Sequence, residues 1–61
     1  MKTSFHLFPD TGGNGHLHAK THHRGIWKTA VCSLSGDVYR AVRARLIAIN
    51  ETGKVNVFFH S

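Results

Sequence analysis

Polar and apolar positions at the start of the chain alternate with a period of two. In TSFHLF, residues 3–8, Thr3, Phe5 and Leu7 share one side of an extended segment, and Ser4, His6 and Phe8 the other. Its aromatic content predicts a strand that Pro9 ends. PDTGGNG follows, and its Pro, Asp, Asn and glycines predict a flexible hairpin connection with positive-φ positions. Alternation resumes in HLHAK, so residues 16–20 predict a second strand with Leu17 and Ala19 inward and His16, His18 and Lys20 outward. THHRG reads as the next turn, with Gly25 as its permissive residue. IWKTAVCS, residues 26–33, predicts a third strand that is apolar on both faces: Ile26, Ala30 and Cys32 against Trp27 and Val31. A strand of that kind is normally central in its sheet or covered.

The period then lengthens. Val38, Val42, Leu46 and Ile49 recur at spacings of four, four and three, with Tyr39, Ala41 and Ala48 on the flanks. This predicts a helix over residues 36–51 with one face pressed on the sheet. Ser35 is a suitable N-cap, Asp37 suits the positive end of the helix dipole, and Gly53 is a fitting stop. Arg40 and Arg43 leave the opposite side, with Ile47 between them. Arg45 falls at the edge of the apolar face, where its stem can lie on the core and its head reach water. KVNVFFH predicts a last strand over residues 54–60, with Val55, Val57 and Phe59 on one face and Phe58 on the other.

The order β-β-β-α-β predicts a small α+β domain, a mostly antiparallel sheet with one helix packed on one face. The expected core is Phe5, Leu7, Leu17, either Trp27 or Ile26, Val31, Val38, Val42, Leu46, Ile49, Val55, Val57 and Phe59. One helix covers only one sheet face. Phe8, Trp27 and Phe58 on the other face are therefore expected to meet something, and a second copy of the chain is the first expectation, a homodimer.

Length changes the energetic picture. Sixty-one residues make one small domain, residues 1–61, and a chain of this size buries only about 60% of its unfolded surface. Metal binding or self-association is the expected supplement. Cys32 is the only cysteine, so no disulfide forms within one chain, and a reducing, cytoplasmic setting is expected. MKTSFHLFPD lacks the apolar run of a signal peptide, and neither LIAI nor VFF is long enough to span a bilayer, so no membrane role is expected.

Charge narrows the partners. Eight Lys and Arg oppose Asp10, Asp37 and Glu51, a net charge of +5 with neutral histidine, and protonating all six histidines would carry it toward about +11. No acid occurs from Thr11 to Gly36. A domain with this balance suits polyanions.

The residues that could carry chemistry concentrate in GHLHAKTHHRG, residues 15–25. On a strand His16 and His18 point to one side, about 6 to 7 Å apart, within reach of one metal ion. His22 or His23, with Cys32 or His60, could complete a Zn²⁺ site, but Lys20 and Arg24 oppose a dication and no finger-like spacing is present. No metal or other cofactor is therefore expected, with His16, His18, His23 and Cys32 as the candidates if one binds. Histidines near cations also suit metal-free RNA cleavage, yet there is no nucleophile motif, phosphate loop or acid pair, so no catalytic residue is assigned. Binding is the better expectation. The anion-binding set is His16, His18, Lys20, His22, His23, Arg24 and Lys28, joined by Arg40 and Arg43 of the helix. The expected role is a small regulatory or inhibitory domain that docks on an acidic protein, with DNA or RNA as the alternative partner.

Overall fold

The computed structural model describes residues 2–61. Its elements are β1 (Lys2–Pro9), β2 (Gly15–His23), β3 (Ile26–Leu34), α1 (Gly36–Glu51) and β4 (Asn56–Phe59). The α+β layout read from the sequence is the one observed, as a four-stranded mixed sheet in the order β3-β2-β1-β4. β1 and β3 both run antiparallel to β2, while β4 lies parallel to β1. A parallel strand needs a crossover, and α1 supplies it by carrying the chain from one sheet edge to the other.

Local chemistry explains the element ends. Arg24 and Gly25 both have positive φ, 53° and 76°, the signature of a two-residue type I′ hairpin turn. THHRG is therefore mostly strand rather than turn: β2 runs on through Thr21, His22 and His23, and only Arg24 and Gly25 turn. Between β1 and β2 the Asp10 N–H donates to the Asn14 carbonyl at 2.7 Å, and Gly13 takes φ 79°. The helix occupies the predicted span. Ser35 precedes it in an extended conformation and makes no side-chain cap, and its carbonyl accepts the Tyr39 N–H at 2.6 Å. Gly53, at φ 71°, closes the far end by donating its N–H to the Asn50 carbonyl at 3.2 Å. β4 is shorter than predicted, four residues, because Val55 precedes the pairing with β1.

The core is small and off-centre. Leu7, Leu34 and Leu46 are buried, and Phe5, Leu17, Tyr39, Val42 and Val57 pack against them. Much of the expected core is exposed instead: Ile26, Trp27, Val31, Val38, Ile49 and Phe59. Width is the reason. A helix with its side chains is about 10 to 12 Å across, whereas strands repeat every 4.7 to 4.9 Å. One helix thus covers little more than two strands, and α1 packs on β4 and β2 around β1. β3, expected to be central or covered, is an edge strand exposed on both faces, with only Leu34 at its end buried.

One glycine is fixed by this packing. Gly15 is buried where β2 begins, and a Cβ there would sit 2.5 Å from both the Phe8 carbonyl oxygen and the Tyr39 ring. The carbonyl belongs to the strand backbone and has no room to retreat. Gly15→Ala should therefore lower stability by about 1 to 3 kcal/mol. Gly12→Ala, whose Cβ meets nothing closer than 3.7 Å, is the control. Equal urea midpoints for the two variants would refute this packing.

Candidate functional site

The sheet has two unlike faces. Leu7, Leu17 and Val57 look toward the helix, and their neighbours along each strand look away. Registration sets the open face in rows. Phe58, His6, His18 and Val31 form one row, and Phe8, His16 and Ser33 the next. Asn56, Ser4, Lys20 and Thr29 form a third, and Lys2, His22 and Trp27 the last.

Rings dominate the first two rows. Phe58 stacks on His6 at 4.8 Å between centroids and 15° between planes, and His6 on His60 at 5.2 Å and 21°. His60 stacks on Phe8 at 4.3 Å and 8°, and His18 leans on Phe8 at 4.6 Å and 52°. The result is a continuous column of phenyl and imidazole rings, with the two imidazoles of His6 and His60 adjacent at its centre. At the far end His22 and Trp27 form a separate stack at 4.7 Å, and the indole stays 61% exposed. Rings in such offset stacks contribute about 0.5 to 1.5 kcal/mol per pair beyond area burial.

The column also contains a hydrogen bond between two of its rings. His6 Nδ1 and His60 Nε2 lie 3.0 Å apart, so one imidazole donates to the other, and a proton on both nitrogens would break the bond. His6 Nε2 faces Ser4 Oγ at 3.4 Å. Burial holds the His6 pKa below the ordinary 6.5, and positive charge on Lys20, His60 and His18 pushes it the same way.

Among the described residues no Asp or Glu side chain lies on this face. Asp10 is in the first loop, where it accepts the Thr11 N–H at 2.7 Å. Asp37 is on α1, paired with Arg40, and Glu51 ends the helix. The charged side chains in the open-face rows are the cations Lys2 and Lys20.

The sheet divides the residues predicted to bind anions. His16, His18, Lys20 and His22 share the open face. His23 and Lys28 emerge on the helix side, beyond the helix, where with Thr21, Arg24 and Ile26 they line a shallow hollow. Arg40 is held by Asp37, and Arg43 lies over the Phe59 ring at 5.8 Å. One continuous basic patch is thus replaced by two separate surfaces. The metal candidates are divided in the same way. His16 and His18 face one side of the sheet, His23 and Cys32 the other, and among the described residues no three potential ligands converge. Phe8, Trp27 and Phe58, expected to mediate self-association, do share the open face.

Lys2 and His6 belong to this face and were not singled out from the sequence, and His60, read there only as a possible metal ligand, stacks against it. The alternation of His6 with Phe8 was a visible signal, but the approach of His60 depends on the parallel placement of β4. Comparisons with protein families, curated proteins and solved structures returned no match. Among the described residues no helix is long and apolar enough to cross a membrane.

The lowered His6 pKa sets a sign. Between the folded pKa and 6.5 the unfolded chain binds more protons, so the contribution is complete above about pH 6.5 and is lost as pH falls below it. The melting temperature should drop between about pH 7 and pH 5. His6→Phe, which keeps a ring in the column, should show a shallower drop. The same slope in both proteins would remove His6 from this role.

Proposed function

We propose that the chain binds single-stranded nucleic acid across its open sheet face. The observation that carries this reading is the pairing of cations with rings and the lack of any carboxylate there: Lys2 and Lys20 beside Trp27, His22, Phe58 and Phe8. A flat sheet bearing aromatic rings suits unstacked bases, which supply a π-face whatever their sequence. Duplex DNA fits less well, because the open face offers no projecting element for a groove. Trp27 is the leading base contact, since its indole is more exposed than the Phe58 ring and His22 holds its other side. The column around His6 adds the half-buried rings of His6, Phe8 and His18 and the exposed rings of Phe58 and His60.

An acidic protein is the second reading, and a different feature favours it. The hollow lined by Thr21, His23, Arg24, Ile26 and Lys28 joins apolar surface to two full cations on the opposite side of the hairpin. A docking regulator would use that hollow rather than the ring face.

Anisotropy titration of a labelled dT oligonucleotide separates the two. Trp27→Ala should weaken binding roughly five- to a hundred-fold, the worth of about one stacked base. Lys20→Gln should reduce the slope of log K against log salt by about 0.7, the share of one phosphate on a single strand. Lys28→Gln should alter little. Absence of binding at low salt ends the nucleic-acid reading. Polyglutamate binding that is lost in Lys28→Gln and kept in Trp27→Ala supports the acidic-protein reading.

A further inference from the structure

We propose that two copies of this chain pair through their β3 edges, antiparallel about a two-fold axis at Ala30, into one continuous sheet. The inference is independent of what the open face binds.

The first argument is a conflict between pattern and place. β3 is apolar on both faces, as interior strands are, yet it lies at the sheet edge with Ile26, Trp27 and Val31 at least 60% exposed. Edge strands in single chains are protected by brevity, proline, bulges or charge. β3 has nine residues, unbroken register against β2, no proline and one cation, Lys28. The opposite edge, β4, has four residues. The molecule thus has one long adhesive edge, and an edge of that kind paired with itself closes a dimer instead of extending a fibre.

The second argument is the phase of the hydrogen bonds. The type I′ turn at Arg24 and Gly25 makes His23 and Ile26 the hydrogen-bonded closing pair. Bonded and non-bonded pairs alternate along an antiparallel ladder, so Ile26, Lys28, Ala30, Cys32 and Leu34 spend their backbone groups on β2. The other side of the sheet agrees: the Asp10 N–H to Asn14 bond and the His60 N–H to Leu7 bond fix the same alternation through β1. Trp27, Thr29, Val31 and Ser33 are therefore the residues whose N–H and C=O groups point away from the sheet.

One register uses all of them. With the axis at Ala30, Trp27 meets Ser33 of the second copy and Thr29 meets Val31, giving about eight inter-chain hydrogen bonds. A shift of two residues leaves one outward residue of each strand without a partner. At the axis two Ala30 methyls meet, so nothing bulky opposes itself, and Lys28 lies opposite Cys32 rather than its own copy. Ile26 comes to lie against Leu34. Every strand position then has the neighbours its side chain implies.

Sedimentation and cysteine cross-linking test this. The native chain should sediment as a dimer. Val31→Pro removes an outward N–H and leaves the β2 ladder intact, so it should yield a folded monomer, with folding checked by circular dichroism. In a Cys32→Ser background, Ala30→Cys should form an inter-chain disulfide under mild oxidation, because the two side chains face each other in a non-bonded pair. Phe58→Cys, on the open face, should not. A native monomer at high concentration overturns the proposal, as does a dimer that survives Val31→Pro or cross-links at Phe58→Cys and not at Ala30→Cys.

Discussion

The buried contact of helix and sheet centres on the cluster of Leu7, Leu34 and Leu46, and its narrowness shapes the molecule. With one sixteen-residue helix, the chain can seal only the ground that helix covers. It spends that cover on the strands around β1, where β4 returns in parallel. Tyr39 extends the seal toward the loop end by lying against Gly15, a position where any side chain would collide with strand backbone. Few residues are buried, so this contact carries a large share of the hydrophobic stabilisation. The uncovered side must hold itself together by other means, and ring stacking across strands is the means it uses.

Stacking and charge pull against each other on that open face. An imidazole is a good ring only while neutral, and Lys20 lies near enough to oppose its protonation. Four histidines in or against the two ring rows, His6, His16, His18 and His60, have no carboxylate to offset them. The ring column is therefore most cohesive while His6 is neutral. A ligand rich in phosphate would relieve the repulsion that acidification creates. Folding stability and anion affinity then respond to pH in opposite directions, on the reading that this face is the binding surface. The acid-free stretch of sequence matters because of where it folds: β2 carries His16, His18, Lys20 and His22 outward together.

Local signals placed most elements. The period of two, the change to a helical period at residue 36 and the turn glycines marked the strands and the helix, because those features act over a few residues. Face alternation along β1 and β2 was equally legible, so His16, His18 and Lys20 were correctly placed together. Neighbour order was not legible, since the pattern of β4 is the same whether it pairs with β1 or with β3. The ring column depends on that choice, and so His60 was read only as a possible metal ligand and not as part of a ring stack. THHRG misled because its histidines are polar and turn-like, although a type I′ turn needs only two residues. Arg40 looked free until Asp37 stood one turn away.

β3 is the most instructive disagreement. Its side chains describe a strand between two others, and the single chain gives it one neighbour. A failure of the pattern rule would predict polar or protected edge chemistry to have crept in, yet Trp27, Val31 and Ile26 remain in the open beside one lysine. A rule that applies to an assembly, on the other hand, is satisfied without changing a residue. The helix leaves β3 bare because it is too narrow to reach across the sheet, and the same bareness leaves room for a second strand on that edge. Extending the sheet there does not close the open face. The proposed pairing would set two copies of His16, His18, Lys20 and Trp27 on one surface, and under the proposed function one strand of nucleic acid would meet both, so that the effective concentration at the second site would add to affinity without any new contact. Covering one face with one helix thus has two consequences: a long bare edge at β3, and an open ring surface with two lysines that the proposed pairing would double.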